Sequence, residues 1–110
     1  MNLNKRIDMC MLLDVYGNML TKRQLGIMLE YYEKDKNLVE IGETFGISRQ
    51  AVRDALVVAE KTLLDFEEKL GFIAKYKLLK NQLNEIIEHV SKAGNSEQLL
   101  QELINLSNNL

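Results

Sequence analysis

Proline is absent from this 110-residue chain, and glycine occurs only six times. With so few breakers, and with Leu, Glu, Lys, Met and Gln recurring throughout, the chain reads as all-α. There is one cysteine, Cys10, so an intramolecular disulfide is excluded. On an amphipathic helix it is expected to be a small buried hydrophobe. The one histidine, His89, is far from Cys10 in sequence and sits in a helical pattern, which leaves no plausible nucleophile–base pair or triad. A phosphate-binding glycine loop and a metal-ligand cluster are also missing, so no enzyme, cofactor or metal is expected. Glu67, Glu68, Glu85 and Glu88 read as helix-surface carboxylates. No apolar run approaches the roughly 20 residues needed to span a bilayer. The start, "MNLNKRIDMCMLLDVYGN", has charge and then an apolar patch, but Asp8 and Asp14 interrupt it and no small-residue cleavage site follows. The expected location is cytoplasmic.

What is present fits one globular domain with a real core: 46% of residues are hydrophobic and 27% charged. The net charge is −2, which is unhelpful to a nucleic-acid binder because phosphate neutralisation supplies much of the affinity.

Periodicity predicts about six helices. The first runs from Asn4 to about Tyr16 and buries Ile7, Cys10, Met11 and Val15, with Leu12 or Leu13. Gly17 and Asn18 end it. Thr21 and Gln24 form a capping box for a second helix reaching about Lys34, with Leu25, Met28, Leu29 and Tyr32 inside. Lys34 and Lys36 suit its negative C-terminal end. Asn37 and Glu40 repeat the box for a short third helix, Leu38 to Phe45. Gly46 stops it and Ser48 caps a fourth helix, which meets no breaker until Gly71. Its broad apolar stripe comprises Val52, Ala55, Leu56, Ala59, Leu63, Phe66 and Leu70. A fifth helix runs from about Phe72 to Lys92, with Leu79, Leu83, Ile86, Ile87 and Val90. Ser96 starts a last one carrying Leu99, Leu100, Leu103, Ile104 and Leu106.

Residues 38–57 have the spacing of a helix-turn-helix motif. Two short helices crossing steeply need a small residue where their backbones approach, and Gly42 supplies it. Gly46 stands at the turn, where a left-handed backbone is cheap only without a Cβ. Ile41, Phe45, Ile47, Val52 and Ala55 form the apolar wedge. Ser48, Arg49, Gln50, Arg53 and Asp54 are left on the exposed N-terminal part of the second helix, the part that enters the major groove in this motif. Arg can pair with guanine and Gln with adenine, and Ser48 at the helix start can meet a phosphate. Charge opposes this reading. Between Asn37 and Asp65 three cations face five carboxylates, so a basic face would have to be assembled from Lys22, Arg23, Lys34 and Lys36, from Lys5 and Arg6, or from Lys75, Lys77, Lys80 and Lys92.

The segments "LLDVYGNMLTKRQ", "LEYYEKD", "LVEIGETFGISRQAVRD" and "EKTLLDFEEKLG" together resemble the YlxM family, small bacterial helix-turn-helix proteins whose motif is similar to region 4 of sigma factors. The resemblance runs from about Ile7 to Tyr76; the last thirty-odd residues match only in being helical. It implies a winged-helix-free, sigma-region-4-like fold with extra C-terminal helices. It also implies a DNA-binding regulatory protein linked to the signal recognition particle pathway, with the particle's RNA or its GTPase as a partner. The chain departs from the family pattern in three places. Arg53 replaces a tyrosine, Val57 and Val58 replace a pair of cations, and Gly42 replaces an alanine. Nucleic-acid contacts therefore carry over for Ser48, Arg49 and Gln50, and Arg53 is this chain's own addition.

Two functions compete. One is a nucleic-acid-binding regulator reading through Ser48 to Asp54. The other is a protein-binding adaptor of the targeting pathway that uses the helix-turn-helix as a scaffold, which the acidic balance and the loss of two cations favour. Neither needs a membrane or a small-molecule substrate. The expected organisation is a helix-turn-helix domain over 1–70 and a helical extension over 71–110, packed on it or on a second subunit as a single structural unit. Ala55 to Ala59 is apolar on all sides of its helix, and such a stretch is buried all round, against the chain itself or in a homodimer built on the fourth and C-terminal helices.

Overall fold

The computed structural model describes residues 3–94 and 97–110, and the side chains of residues 8–94 and 97–110. Ser96 as a helix start, the Ile7 side chain and the cations of Lys5 and Arg6 lie outside the described residues. Among the described residues six α-helices follow in order: α1 (Leu3–Tyr16), α2 (Lys22–Tyr32), α3 (Leu38–Phe45), α4 (Arg49–Leu70), α5 (Phe72–Ala93) and α6 (Glu97–Asn108), with one 3-10 turn, Gly17–Met19, after α1. There is no strand among the described residues. No helix among them is long and apolar enough to cross a membrane. The chain divides into two compact units, one ending at Gly71 and one beginning at Phe72.

Local chemistry sets the boundaries. Thr21 Oγ1 accepts the Gln24 N–H at 3.1 Å while Gln24 Oε1 accepts the Thr21 N–H at 3.0 Å. Asn37 and Glu40 make the same reciprocal pair at 2.9 and 3.2 Å. Each box satisfies two backbone donors that a helix start would leave open. Gly46 and Gly71 both take the left-handed conformation, φ 68° and φ 65°, and end α3 and α4 as glycine does at little cost.

In the first unit α4 packs against α1, α2 and α3. Its buried residues Val52, Leu56, Ala59 and Leu63 recur at helical spacing and face Leu12, Leu13, Tyr16, Ile27, Met28, Tyr32 and Ile41 in one core. Full burial of an aliphatic or aromatic side chain of this size contributes about 1.5–3 kcal/mol. Two tyrosines at its edge are tied to α4: Tyr16 donates its hydroxyl to Glu67 Oε1 at 2.6 Å and Tyr32 to Glu60 Oε1 at 2.7 Å.

Several expectations need correction. Leu12 and Leu13 are both buried, Met9 and Tyr16 join them, and Val15 points outward; at about 100° per residue this arc lies on nearly the opposite side of α1 from Cys10, Met11 and Val15. Cys10 is only partly buried, its thiol 3.9 Å from the Tyr32 carbonyl. Leu25 and Leu29 are partly covered, and Leu70 is exposed at the helix end. Glu67, expected on the surface, accepts the Tyr16 hydroxyl. Val57 and Val58 are 59% and 55% exposed while Ala59 is fully buried. The seam expected there is not closed by the helix-turn-helix unit.

The second helix stops at Tyr32, two residues before the expected end. Its two lysines do not simply trail along the axis; they fold back on Glu30. Lys34 Nζ reaches Glu30 Oε1 and Lys36 Nζ reaches Glu30 Oε2, each at 3.0 Å. Asp35 between them takes φ 57°, a left-handed value that only a few non-glycine residues tolerate. The hydrogen bond from Lys34, then that from Lys36, holds the Glu30 pKa below its ordinary value against the opposing effect of burial. A depressed folded-state pKa contributes stability that is present above the unfolded carboxylate value and is lost as pH falls through the folded one. Glu30→Gln is therefore expected to lower the urea midpoint at neutral pH, with the gap to wild type closing in acid; a gap independent of pH would contradict the pairing.

Candidate nucleic-acid interface

The corner between α3 and α4 is built on backbone geometry. The Gly42 carbonyl accepts the Ile47 N–H at 3.0 Å, and a Cβ on Gly42 would lie 2.6 Å from the Ile47 carbonyl oxygen. The third helix can come this close to the turn only because position 42 has no side chain. Ile41 and Val52 are fully buried, and Phe45 and Ile47 are partly so. The Phe45 ring lies over α2, close enough that a Cβ on Gly26 would be 3.1 Å from it.

The five candidate contact residues open α4 together, and all five are exposed. They are not equally free. Ser48 caps the helix, its Oγ accepting the Ala51 N–H at 3.0 Å. The hydroxyl hydrogen is still able to donate to a phosphate, but the first duty of Ser48 is to start the helix. Gln50 Nε2 donates to Asp54 Oδ1 at 3.0 Å, so one proposed base reader is held by the carboxylate one turn on. Arg49 and Arg53 are the cations of this segment. At about 100° per residue, Gln50, Arg53, Asp54 and Val57 share the side of α4 opposite the buried Val52 and Ala59. The outer face of the helix is therefore a short polar tip that becomes apolar at Val57.

Beside that tip lies an open groove of ≈ 310 Å³, whose walls include Tyr31, Leu38, Arg53, Val57 and Glu60. Tyr31 stands edge-on to Tyr32, ring centroids 5.0 Å apart. The sequence reading missed this feature. Its residues come from three helices, and no spacing along one helix signals it. No group of His, Cys, Asp or Glu among the described residues could hold a metal ion.

A family model described as "Putative helix-turn-helix protein, YlxM / p13 like", UPF0122, matches residues 3–103. The chain belongs to this family. Among its relatives, the UPF0122 protein of Streptococcus gordonii is 35% identical over 108 residues, covering 98% of both chains. That of Halalkalibacterium halodurans is 40% identical over 98 residues, 89% of this chain and 90% of its own. A UPF0122 protein from Desulforamulus reducens is 45% identical over 74 residues, and the match spans 67% of this chain and 63% of the relative. The match to residues 3–103 extends beyond the helix-turn-helix unit into the two C-terminal helices, whereas the resemblance read from motifs stopped near Tyr76. Beyond that point the helices carry apolar spacing without a local signature.

Proposed function

We propose that this UPF0122 protein is a bacterial nucleic-acid-binding regulator that reads duplex DNA or structured RNA through the start of α4. The observation that carries the reading is the corner itself: a glycine-closed turn that exposes Ser48, Arg49, Gln50, Arg53 and Asp54 together on one helix N-terminus. Arg49 and Arg53 supply charge to phosphates or guanine edges, Gln50 supplies an amide for adenine once it leaves Asp54, and the helix N-terminus favours a phosphate. Two copies acting together would present two such heads, as helix-turn-helix proteins commonly do. A place in the cytoplasm and in the signal recognition particle pathway, with the particle's RNA as one ligand, belongs to this reading. It is a binding protein and not an enzyme.

A second reading has an observation of its own. The apolar outer side of α4 at Val57 and the groove beside it suit a protein contact, as an adaptor of the targeting pathway bound to its GTPase would need. Titration of the pure chain against random duplex DNA and against the targeting-particle RNA separates the two. Binding to either supports the regulator. Binding to neither, with capture of the GTPase that survives nuclease treatment, replaces it with the adaptor.

A further inference from the structure

The unit beginning at Phe72 is too small to enclose its own apolar surface. It consists of α5 and α6, held together where Ser107 Oγ donates to Asn84 Oδ1 at 3.1 Å and Lys80 Nζ donates to the Ser107 carbonyl. Among its described residues only Ile73, Leu83 and Ser107 are buried. Units below about 40 residues usually need a disulfide, a metal or oligomerisation to be stable, and the chain's one cysteine lies elsewhere.

The exposed apolar residues are ordered. Along α5, the exposed Phe72, Tyr76, Leu79 and Ile86, with the buried Leu83 and half-buried Val90, alternate spacings of four and three, Leu78 alone lying off the row; at and just past α6, the exposed Leu99, Leu106 and Leu110, with the half-buried Leu103, do the same. This is the seam of helices that pack side by side in a bundle. At about 100° per residue, each strip lies roughly a quarter turn from the residues that join the two helices, and in the same rotational sense. The helices run antiparallel, so both strips fall on one face of the hairpin. Phe72, Tyr76, Leu79, Ile86, Leu99, Leu106 and Leu110 are each 36% to 54% exposed, and no charged residue interrupts either strip.

We propose that this face packs on the same face of a second copy about a two-fold axis, forming a four-helix bundle from two α5–α6 hairpins. The inference rests on the homodimer reading above and assigns its interface to the hairpin seam and not to Val57 and Val58 of α4. Three features point to a second copy as the occupant. The spacing is one that helices of the same kind satisfy reciprocally. The uncharged face selects no partner by sign of charge, as interface cores between identical subunits do not. At 36% to 54% exposure the seven residues present roughly 600 Å², most of the ~800 Å² that each partner contributes to a stable interface.

Light scattering after size exclusion on the full chain tests this. The expected mass is twice the 12.7 kDa of one chain. Leu79→Glu combined with Ile86→Glu is expected to give the single-chain mass, while Val57→Glu combined with Val58→Glu stays dimeric. Should the first variant lose helicity, Leu79→Ala with Ile86→Ala decides: its dimer dissociation constant is expected to rise at least about tenfold, and an unchanged constant overturns the proposal. A monomeric wild type overturns this inference and the homodimer reading together. A dimer that survives substitution of the seam, or is broken at Val57 and Val58, overturns only the assignment of the interface.

Discussion

Gly42→Ala is expected to destabilise the helix-turn-helix unit by about 1–3 kcal/mol, the range for forcing a methyl group into a filled site. The atom it meets decides the sign. The Ile47 carbonyl oxygen would be 2.6 Å from the new Cβ, with the Ser48 carbonyl carbon 3.6 Å away. A backbone carbonyl cannot swing aside as the end of a side chain can, so the whole turn must move outward. That movement strains the Ile47 N–H bond to the Gly42 carbonyl and shifts Ser48, the cap of α4. A change of 1 kcal/mol corresponds to roughly 4–8 °C in the melting temperature of a domain this small, so a thermal melt detects it. Gly46→Ala is the contrast: its Cβ meets nothing within 4 Å, and only the left-handed backbone, about 1–2 kcal/mol, opposes it. An unchanged melt for Gly42→Ala would show that the corner is looser than its geometry.

Arg49→Ala combined with Gln50→Ala is expected to lower affinity for the preferred nucleic acid by at least about tenfold, with no change in melting temperature. Each bidentate contact to a base is worth ~1–3 kcal/mol, and 1.4 kcal/mol is a factor of ten. Both side chains are exposed on the first turn of α4, and exposed substitutions away from caps usually stay within about 0.5 kcal/mol in stability. Asp54→Asn should act in the opposite direction. It removes a negative charge from the tip and weakens the hold on Gln50, whose amide now donates to the Asp54 carboxylate at 3.0 Å. Tighter binding by Asp54→Asn together with weaker binding by the double variant would locate the contact on this turn. If the double variant binds as wild type does, the start of α4 is not the reader.

The parts of this fold that were legible in the sequence are those set by neighbours a few residues apart. Thr21 with Gln24, Asn37 with Glu40, Ser48 before Ala51, and the glycines at 46 and 71 each specify a helix end through contacts within four residues, and each does so in the structure. The helix-turn-helix corner belongs with them, because Gly42, Gly46 and the apolar wedge lie within one short segment. The Tyr16–Glu67 and Tyr32–Glu60 hydrogen bonds join residues 51 and 28 positions apart, and no local pattern marks a surface glutamate as a tyrosine's partner. Val57 and Val58 show the same limit from the other side. Periodicity gives the angle of a residue around its helix, but what lies against that angle depends on the neighbouring helices. The Glu30 cluster was half legible: lysines after a helix end were expected for the helix dipole, and their return to a single carboxylate depends on the turn at Asp35.

On the proposed reading, the tip of α4 meets a phosphate backbone despite a net charge of −2. The most direct test is the dependence of duplex-DNA affinity on salt. Phosphate contacts release counterions, and the logarithm of the binding constant falls with the logarithm of salt concentration by about 0.9 per contact. For wild type the slope is expected to be clearly negative, and for Arg49→Ala combined with Arg53→Ala shallower by about 1–2. A flat salt dependence, or a slope unchanged when both arginines are removed, would contradict it.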